Sequence, residues 1–229
     1  MKTVFITGAN RGLGLEFTKQ YLQMGNKVIA CARNPDTSIE LIKLSEGNQN
    51  LRILPMELSN EDSINAAVAK VDEPVDLLIN NAGIIGDRDE DLDHFCPKTL
   101  LDTFKINAIG PLLVLSALRE HLAQGQGKQA IMIGDRMGSI SDNATGGYYS
   151  CRASKSALNA LMKSAAIELE SDKVHVLILH PGWVQTDMGG TSATTTVSDS
   201  ITNMIKVIDN YRIYPTGAFV AQTSELLPW

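Results

Sequence analysis

The sequence predicts an α/β fold in which a doubly wound parallel sheet of about seven strands carries helices on both faces. Short apolar runs rich in β-branched residues recur along the whole chain, and segments of helical period separate them. Each run is continuously apolar rather than alternating, which is typical of strands that are buried on both faces. We therefore expect residues 1–229 to form one domain.

The apolar runs place the strands in chain order. Between the third and fourth runs, Ile64, Val68 and Val71 recur at helical spacing, and Ser59 with Asp62 three residues later predicts the start of that helix. The predicted strands are residues 4–6, 28–30, 51–54, 77–79, 130–133 and 174–179, with a weaker seventh at residues 218–220.

The composition is that of an ordinary globular protein. The 229 residues include 20 Lys and Arg against 26 Asp and Glu, so the net charge is −6, and 44% are hydrophobic. These values exclude wholesale disorder and a disulfide scaffold, and the acidity disfavours a nucleic-acid partner. No apolar run approaches the roughly 20 residues of a membrane span, so we expect no transmembrane segment.

The cysteines and histidines form no metal-binding pattern. Cys31, Cys96 and Cys151 include no C-x-x-C pair, and the four histidines are scattered along the chain. A disulfide framework and a zinc site are therefore not expected, and no metal ligand is assigned. Three reduced thiols and the lack of a signal peptide predict a cytoplasmic location.

Glycines follow the first predicted strand in the run of residues 7–14, which reads T-G-A-N-R-G-L-G. Glycine lets a turn approach a pyrophosphate closely at the N-terminus of the next helix, where free N–H groups favour anions. The spacing is G-x-x-x-G-x-G rather than G-x-G-x-x-G, but its place between a first strand and a first helix predicts a dinucleotide site in a Rossmann-type fold.

The end of the second strand indicates which dinucleotide binds. An NAD site places an acidic residue there for the ribose 2′-hydroxyl, whereas this chain has Ala32 and then Arg33. Arg33 and Arg11 together can hold a 2′-phosphate by charge-assisted hydrogen bonds. We therefore predict NADP(H) as the cofactor, the alternative being two solvated arginines.

With these motifs in order, the chain resembles the short-chain dehydrogenase/reductase family over nearly its whole length, and it is most similar to the C-factor and small carbonyl-reductase branch. The N-N-A-G run of residues 80–83, the acidic Glu57 and the P-G-W-V-Q-T run of residues 181–186 occupy family positions. The cofactor-binding residues that the turn and the resemblance imply are Gly8, Asn10, Arg11, Gly12, Leu13, Gly14, Arg33, Glu57, Leu58, Asn81, Ala82, Gly83, Lys155, Pro181, Gly182, Val184 and Thr186.

The resemblance also implies a catalytic Ser, Tyr, Lys and Asn, and here the chain departs from the pattern. Asn107 fits the asparagine, in a helix that Pro111 should distort, and Lys155 fits the lysine. Four residues before Lys155 the tyrosine is replaced by Cys151. After the fifth strand Asp135 stands in the serine's place, although Ser139 fits the usual interval to the lysine better.

Cys151 lies too close to the backbone to replace a phenol directly. The thiol ends about 4 Å short of a tyrosine hydroxyl, which exceeds hydrogen-bond reach. Beside Lys155 and a helix start, its pKa should be lowered and its reactivity raised. Asp135 should either pair with Lys155 or act as a general acid and base.

Two functions follow from this mixture of intact and altered motifs. The first is a nominal carbonyl reductase or alcohol oxidoreductase of impaired activity, acting on a small carbonyl or alcohol. The second is a catalytically inactive NADP(H)-binding protein for signalling or sensing, as in C-factor. Homo-oligomer formation is left open, and residues 183–200, rich in Gly, Ser and Thr from 189 onward, are expected to form a mobile substrate loop or a solvated connection.

Overall fold

The computed structural model describes residues 1–229 and contains one seven-stranded, fully parallel sheet. The strand order is β3-β2-β1-β4-β5-β6-β7, so the predicted doubly wound sheet, with its weak seventh strand, is confirmed. The strands are β1 Thr3–Thr7, β2 Lys27–Ala32, β3 Leu51–Pro55, β4 Leu77–Asn80, β5 Gln129–Ile133, β6 His175–His180 and β7 Ala218–Ala221.

Helices cover both faces of the sheet. One face packs α3, α5 and α7 against the strands, and the other packs α1, α2 and α8. The helices are α1 Gly12–Gln23, α2 Ile39–Ser45, α3 Glu61–Val68, α4 Pro97–Phe104, α5 Gly110–Ala117, α6 Arg119–Gln124, α7 Tyr149–Glu168 and α8 Val197–Asp209.

Continuous apolar strands are explained by these two layers. Along β1, Phe5 contributes to the core on one face, while Val4 and Ile6 contribute to the core on the other. The same division occurs in β6, where Ile178 and Leu177 belong to opposite cores. Because both faces of the sheet are buried, the strands do not show the alternation of apolar and polar residues that is typical of a sheet with one exposed face.

The topology opens a crevice at the carboxyl edge of the sheet. The strand order reverses between β1 and β4, so the loops that follow these strands diverge to opposite sides. Crevices of this kind are where open parallel sheets bind ligands. The fold therefore brings the glycine run, the N-N-A-G run and the loops after β5 and β6 to one edge.

Two helix starts differ from the sequence expectation. Helix α3 is capped by Asn60, whose side chain accepts a hydrogen bond from Ser63 N at 3.1 Å, so Ser59 was wrong by one residue. Helix α8 begins at Val197 because Thr196 accepts from Asp199 N at 3.1 Å. The last four residues of the expected 183–200 loop are therefore the first turn of a helix.

The segment Pro97–Ala117 combines α4, a π-helical turn at Lys105–Ile109 and α5. By length and composition alone it is long and apolar enough to cross a membrane, with mean hydropathy 1.3. Polar residues interrupt it, so it contains no continuous apolar run of that length. Val114 and Leu115 are buried in the core against the sheet. The α5 part of the segment therefore packs in the core of the fold.

Candidate active site

A cavity of about 610 Å³ lies at the carboxyl edge and brings together most of the residues that the sequence singled out. Loops after six strands, β1 to β6, and the start of α7 form its wall. The sequence-predicted residues that line it are Gly8, Asn10, Arg11, Gly12, Leu13, Arg33, Glu57, Leu58, Asn81, Ala82, Gly83, Asp135, Cys151, Lys155, Pro181 and Thr186.

The glycine turn is close-packed and leaves no room for side chains. Gly8 has a φ of +65°, and a Cβ there would lie 2.8 Å from Ala82 Cα. A Cβ on Gly14 would collide with the carbonyl oxygen of Gly8 and lie 2.5 Å from Asn81 Nδ2. The turn therefore needs glycine at both positions, for backbone conformation at Gly8 and for packing at Gly14.

The turn presents the N-terminus of α1 to the cavity. Arg11 at the N-cap has extended backbone geometry and makes no side-chain cap hydrogen bond, and the first turn contains no acidic residue. The first N–H groups of a helix have no partner within it. This end of α1 can therefore donate to an anion such as a pyrophosphate.

Hydrogen bonds join the loops after β1 and β4. Asn81 N and Ala82 N donate to Thr7 Oγ1 at 3.0 and 3.1 Å. Asn81 Nδ2 donates to the carbonyl oxygens of Thr7 and Gly8 at 3.0 and 3.2 Å. These bonds fix the glycine turn against the N-N-A-G run, so both walls of the nucleotide end form one rigid unit.

Both arginines expected at the 2′-phosphate lie at the cavity, and each is paired with a carboxylate. Arg11 Nη1 lies 2.5 Å from Asp187 Oδ2, and Arg33 Nε lies 3.5 Å from Glu57 Oε2. The two arginine side chains are 64% and 70% exposed. Such exposed pairs exchange partners at low cost, so both guanidinium groups are available to a phosphate.

Lys155 is buried and has one hydrogen-bond partner in the protein. Its Nζ donates to the carbonyl oxygen of Ile133 at 2.7 Å, and burial lowers its pKa. No carboxylate oxygen lies within 4.0 Å of Nζ, so the expected pairing with Asp135 is not formed. An ammonium has three protons, and two are left for a bound hydroxyl.

Asp135 lies in the cavity, whereas Ser139 does not line it. Asp135 Oδ1 accepts from Met137 N at 2.9 Å at the start of the short helical turn Arg136–Gly138. Ser139 Oγ donates to the carbonyl oxygen of Trp229 at 3.2 Å. The geometry thus places a carboxylate, not a hydroxyl, beside Lys155 and Cys151.

Cys151 lines the cavity, but it is not the activated thiol that its position suggested. Burial, followed by the charge of Asp135, raises its pKa to about 11, and the opposing charge of Lys155 is the smaller effect. The expected lowering of this pKa was therefore wrong. The nearby lysine is visible in the sequence, whereas the desolvation of a residue that is only 3% exposed depends on the folded structure.

Asn107 supports the cavity wall from behind. Its Nδ2 donates to Ile84 O at 2.8 Å and to Ser154 Oγ at 3.0 Å, and its Oδ1 accepts from Ile84 N at 2.8 Å. It lies in the π-helical turn just before Pro111, which lacks an N–H, so the helix distortion expected from the sequence is present.

Four predicted residues do not line the cavity: Asn107, Gly14, Gly182 and Val184. Gly182 has a φ of +84° and is packed against Gln222, and Val184 forms an isolated bridge with Thr195. Each of them shapes the backbone that carries the lining residues rather than contributing a surface of its own.

The loop after β6 closes one side of the cavity and is internally bonded. Gln185 N donates to Thr195 O at 2.9 Å, and Trp183 Nε1 donates to Gly189 O at 2.8 Å. Arg88, from the loop after β4, donates to Met188 O at 2.7 Å. The loop of residues 183–195, here called the flap, is therefore held by its own hydrogen bonds and by the bond from Arg88 on the opposite wall.

A buried carboxylate beside α7 was not predicted from the sequence. Glu90 is 4% exposed and accepts hydrogen bonds from the N–H and Oγ of Ser150, in the first turn of α7. Negative charge at a helix N-terminus is stabilising, so Glu90 ties the loop after β4 to α7. The acidic run around it offered no local signal that this one residue is buried.

The cavity is also lined by residues that belong to no motif singled out from the sequence. They are Thr37, Ser38, Met56, Ile84, Ile106, Gln185 and Met188.

The side chains and backbone around the cavity fit a phosphorylated dinucleotide. The glycine turn and α1 suit a pyrophosphate, Arg11 and Arg33 suit a further phosphate, and Lys155 suits a ribose hydroxyl. The described residues hold no group of three or more His, Cys, Asp or Glu placed to bind a metal ion.

Comparison with known proteins agrees with this geometry. The family model for short chain dehydrogenases matches residues 2–196. C-signal from Myxococcus xanthus is 42% identical over 158 residues, which cover 68% of this chain and 93% of that protein.

Solved structures superpose on the whole chain. The NADPH-bound carbonyl reductase from chicken fatty liver is 34% identical with a TM-score of 0.93, covering 100% of this chain and 99% of the other. The carbonyl reductase Sniffer of D. melanogaster is 33% identical with a TM-score of 0.92, and both chains are fully covered. The chain belongs to the short-chain dehydrogenase/reductase family, in a branch that resembles C-factor.

Proposed function

We propose that this protein binds NADP(H) and is an impaired carbonyl reductase, with Cys151 in place of the catalytic tyrosine and Asp135 in place of the serine. One observation carries the proposal: a single cavity joins a complete nucleotide cradle and a buried lysine to a thiol where a phenol is needed. The NADPH held by the similar chicken reductase supports the cofactor assignment.

Each side chain has a role in this proposal. Lys155 holds the nicotinamide ribose, and Asn107 keeps the wall at Ile84 in place. When bound, the reduced cofactor supplies the hydride that carbonyl reduction requires. Asp135 and Cys151 flank the position of the substrate oxygen, where a proton must arrive.

Proton delivery is the weak step. A thiol of pKa about 11 keeps its proton at neutral pH, so Cys151 is in the correct protonation state. Its sulfur nevertheless ends about 4 Å short of a phenol oxygen, and a bridging water must cover the gap. Loss of a positioned general acid costs about 10²- to 10⁴-fold in rate, so slow turnover is expected.

A second candidate function is NADP(H) binding without catalysis, for signalling or sensing. The burial and raised pKa of Cys151 favour it, as does the 42% identity to C-signal. In either case the three unpaired cysteines support the cytoplasmic location expected from the sequence.

Restoring the family residues tests whether Cys151 and Asp135 limit the reaction. The double variant Cys151→Tyr with Asp135→Ser should raise NADPH-dependent reduction of a ketone panel about 100-fold, since it returns a general acid to hydrogen-bond reach. The matched control, Cys151→Phe with Asp135→Ser, adds the ring without the hydroxyl and should give no gain.

The activity of the unmodified protein decides between the candidates. Slow but measurable ketone reduction supports the impaired reductase, and none at all supports the non-catalytic protein. Turnover as fast as that of the repaired variant would show that Cys151 and Asp135 do not limit the reaction.

A further inference from the structure

Asp135 lies at the end of the cavity that also holds Cys151 and Lys155, here called the catalytic end, and its carboxylate forms no ion pair there. Its only hydrogen bond within the protein is the one from Met137 N at 2.9 Å, and no cationic group lies within 4.0 Å. The neighbouring Arg136 is committed elsewhere, with Nε 2.7 Å from Asp142 Oδ2. A neutral carbonyl oxygen gains nothing from such a carboxylate, because both are hydrogen-bond acceptors.

The other titratable groups at this end do not neutralise Asp135 by contact. Lys155 Nζ is held by Ile133 O, and burial lowers its pKa. His180 uses Nδ1 to accept from Arg136 N at 3.1 Å, and burial lowers its pKa too. Cys151 keeps its proton, so Asp135 and Lys155 carry the local charge.

The loop after β4 lines the cavity at its start and carries exposed carboxylates further along. Ile84 lines the cavity, and the loop is fixed to the flap by Arg88 and to α7 by Glu90. The exposed carboxylates of this loop are Asp87, Asp89, Asp91 and Asp93.

The chemistry of C=N reduction suits a site that has lost its proton donor. A carbonyl that accepts a hydride becomes an alkoxide and needs a proton. An iminium carbon accepts the hydride equivalent of a reduced nicotinamide cofactor, the C=N π pair moves onto nitrogen, and a neutral amine forms with no proton transferred. The cofactor is oxidised in the same step, so charge and electrons balance.

We propose that the preferred substrates are cationic C=N compounds, iminium ions, whose nitrogen is held by the carboxylate of Asp135. This inference rests on the proposed NADP(H) function and names the substrate class of that site. The position of Asp135 in the cavity next to Cys151, with no ion pair of its own, carries the inference. It also gives the loss of the tyrosine a chemical reason, because the reaction no longer requires a phenol.

Binding tests the role of Asp135 without turnover. Calorimetry with the NADP⁺-loaded protein should show the non-reducible N,N-dimethyl-tetrahydroisoquinolinium cation binding at least about tenfold more tightly than neutral tetralone, a ring system of similar size. Asp135→Asn keeps the shape but removes the charge and should abolish this preference. Asp209→Asn, a carboxylate paired with Lys2 outside the cavity, is the matched control and should retain it.

Turnover tests the reaction class. With NADPH, the N-methyl-dihydroisoquinolinium ion should be reduced at least about tenfold faster than tetralone, and Cys151→Tyr with Asp135→Ser should reverse the order. Equal rates in the unmodified protein, or an Asp135→Asn variant that still prefers the cation, would overturn the substrate class. Separate titration shows whether NADPH binds, and failure there overturns the proposed function itself.

Discussion

The two ends of the cavity are built in different ways. At the nucleotide end, contacts are made by backbone: the glycine turn, the N-terminus of α1 and the hydrogen bonds from Asn81 to Thr7 and Gly8. At the catalytic end, the proposed chemistry depends on the side chains of Asp135, Cys151 and Lys155, on elements that other contacts hold.

This difference explains why one end kept the family pattern while the other changed. A side chain added at the nucleotide turn collides with main-chain atoms, so the turn tolerates few substitutions. With Cys151 at the proposed tyrosine position, the core around α7 is packed, and Leu158 and Met162 are buried. In this fold the cofactor cradle depends on the backbone, whereas the reaction depends on single side chains.

The largest effect, on NADPH affinity, is expected from a substitution at Gly14. Gly14→Ala places a methyl group against Gly8 O and Asn81 Nδ2, which cannot both retreat without opening the turn. We expect NADPH affinity to fall by more than about 100-fold, as several backbone contacts to the pyrophosphate are lost together. Calorimetric titration measures the affinity, and circular dichroism shows whether the fold is kept.

Gly25→Ala is the control for this substitution. Gly25 has a φ of +77° but no neighbour within 4 Å, so alanine there brings backbone strain without a collision. It should lower thermal stability slightly and leave NADPH binding unchanged. If Gly14→Ala binds NADPH as well as Gly25→Ala does, the tight packing of the turn is not what forms the cradle.

The second-largest effect is expected in the alkylation rates of the thiols. At pH 8, only about one Cys151 in a thousand is thiolate if its pKa is about 11, whereas backbone N–H groups of Thr99 and Lys98 lower the pKa of the exposed Cys96. Iodoacetamide followed by peptide mapping should therefore label Cys96 about 100-fold faster than Cys151, and burial should protect Cys31 as well.

Raising the pH sharpens the comparison between the thiols. Labelling of Cys151 should increase about tenfold per pH unit until the pH reaches its pKa, while labelling of Cys96 reaches its plateau earlier. Urea-unfolded protein should label all three cysteines alike. Equal labelling in the native protein would mean that the catalytic end is more open than its burial indicates.

The third effect compares Arg11 and Arg33, which we propose to bind the 2′-phosphate, with an arginine elsewhere on the surface. Arg11→Ala and Arg33→Ala should each weaken NADPH binding about tenfold, because a charge-assisted hydrogen bond to the 2′-phosphate is lost. NADH lacks that phosphate, so its affinity should change far less. Arg119→Ala, which removes an arginine paired with Asp172 away from the cavity, is the control. An equal loss for both cofactors would place these arginines at the pyrophosphate instead.

The fold and the nucleotide end could be predicted from the sequence because their signals are local. Continuous apolar runs specify strands buried on both faces, and the glycines of residues 7–14 report a backbone conformation directly. Even the π-helical distortion at Asn107 was foreseeable, because Pro111 removes a specific hydrogen bond.

The catalytic end was less predictable because it depends on burial. The pKa of Cys151 is set by desolvation, which no local pattern records, and Glu90 lies within a run of exposed acidic residues. The helix starts at Asn60 and Thr196 were missed for another reason, since several neighbouring residues can cap a helix and tertiary contacts select one.

The smallest effect is expected at the flap, where both ends of the cavity meet. Arg11 is paired with Asp187, so a 2′-phosphate has to displace that carboxylate before it gains the arginine. Asp187→Asn should raise NADPH affinity up to about fivefold, since the lost ion pair is exposed and weak. NADH affinity should not change, and added salt should reduce the gain by screening the pair. In a double-mutant cycle, Asp187→Asn should give no gain once Arg11 is alanine. A gain that persists in the Arg11→Ala background would show that Asp187 acts through general charge repulsion of the cofactor and not by competing for this arginine.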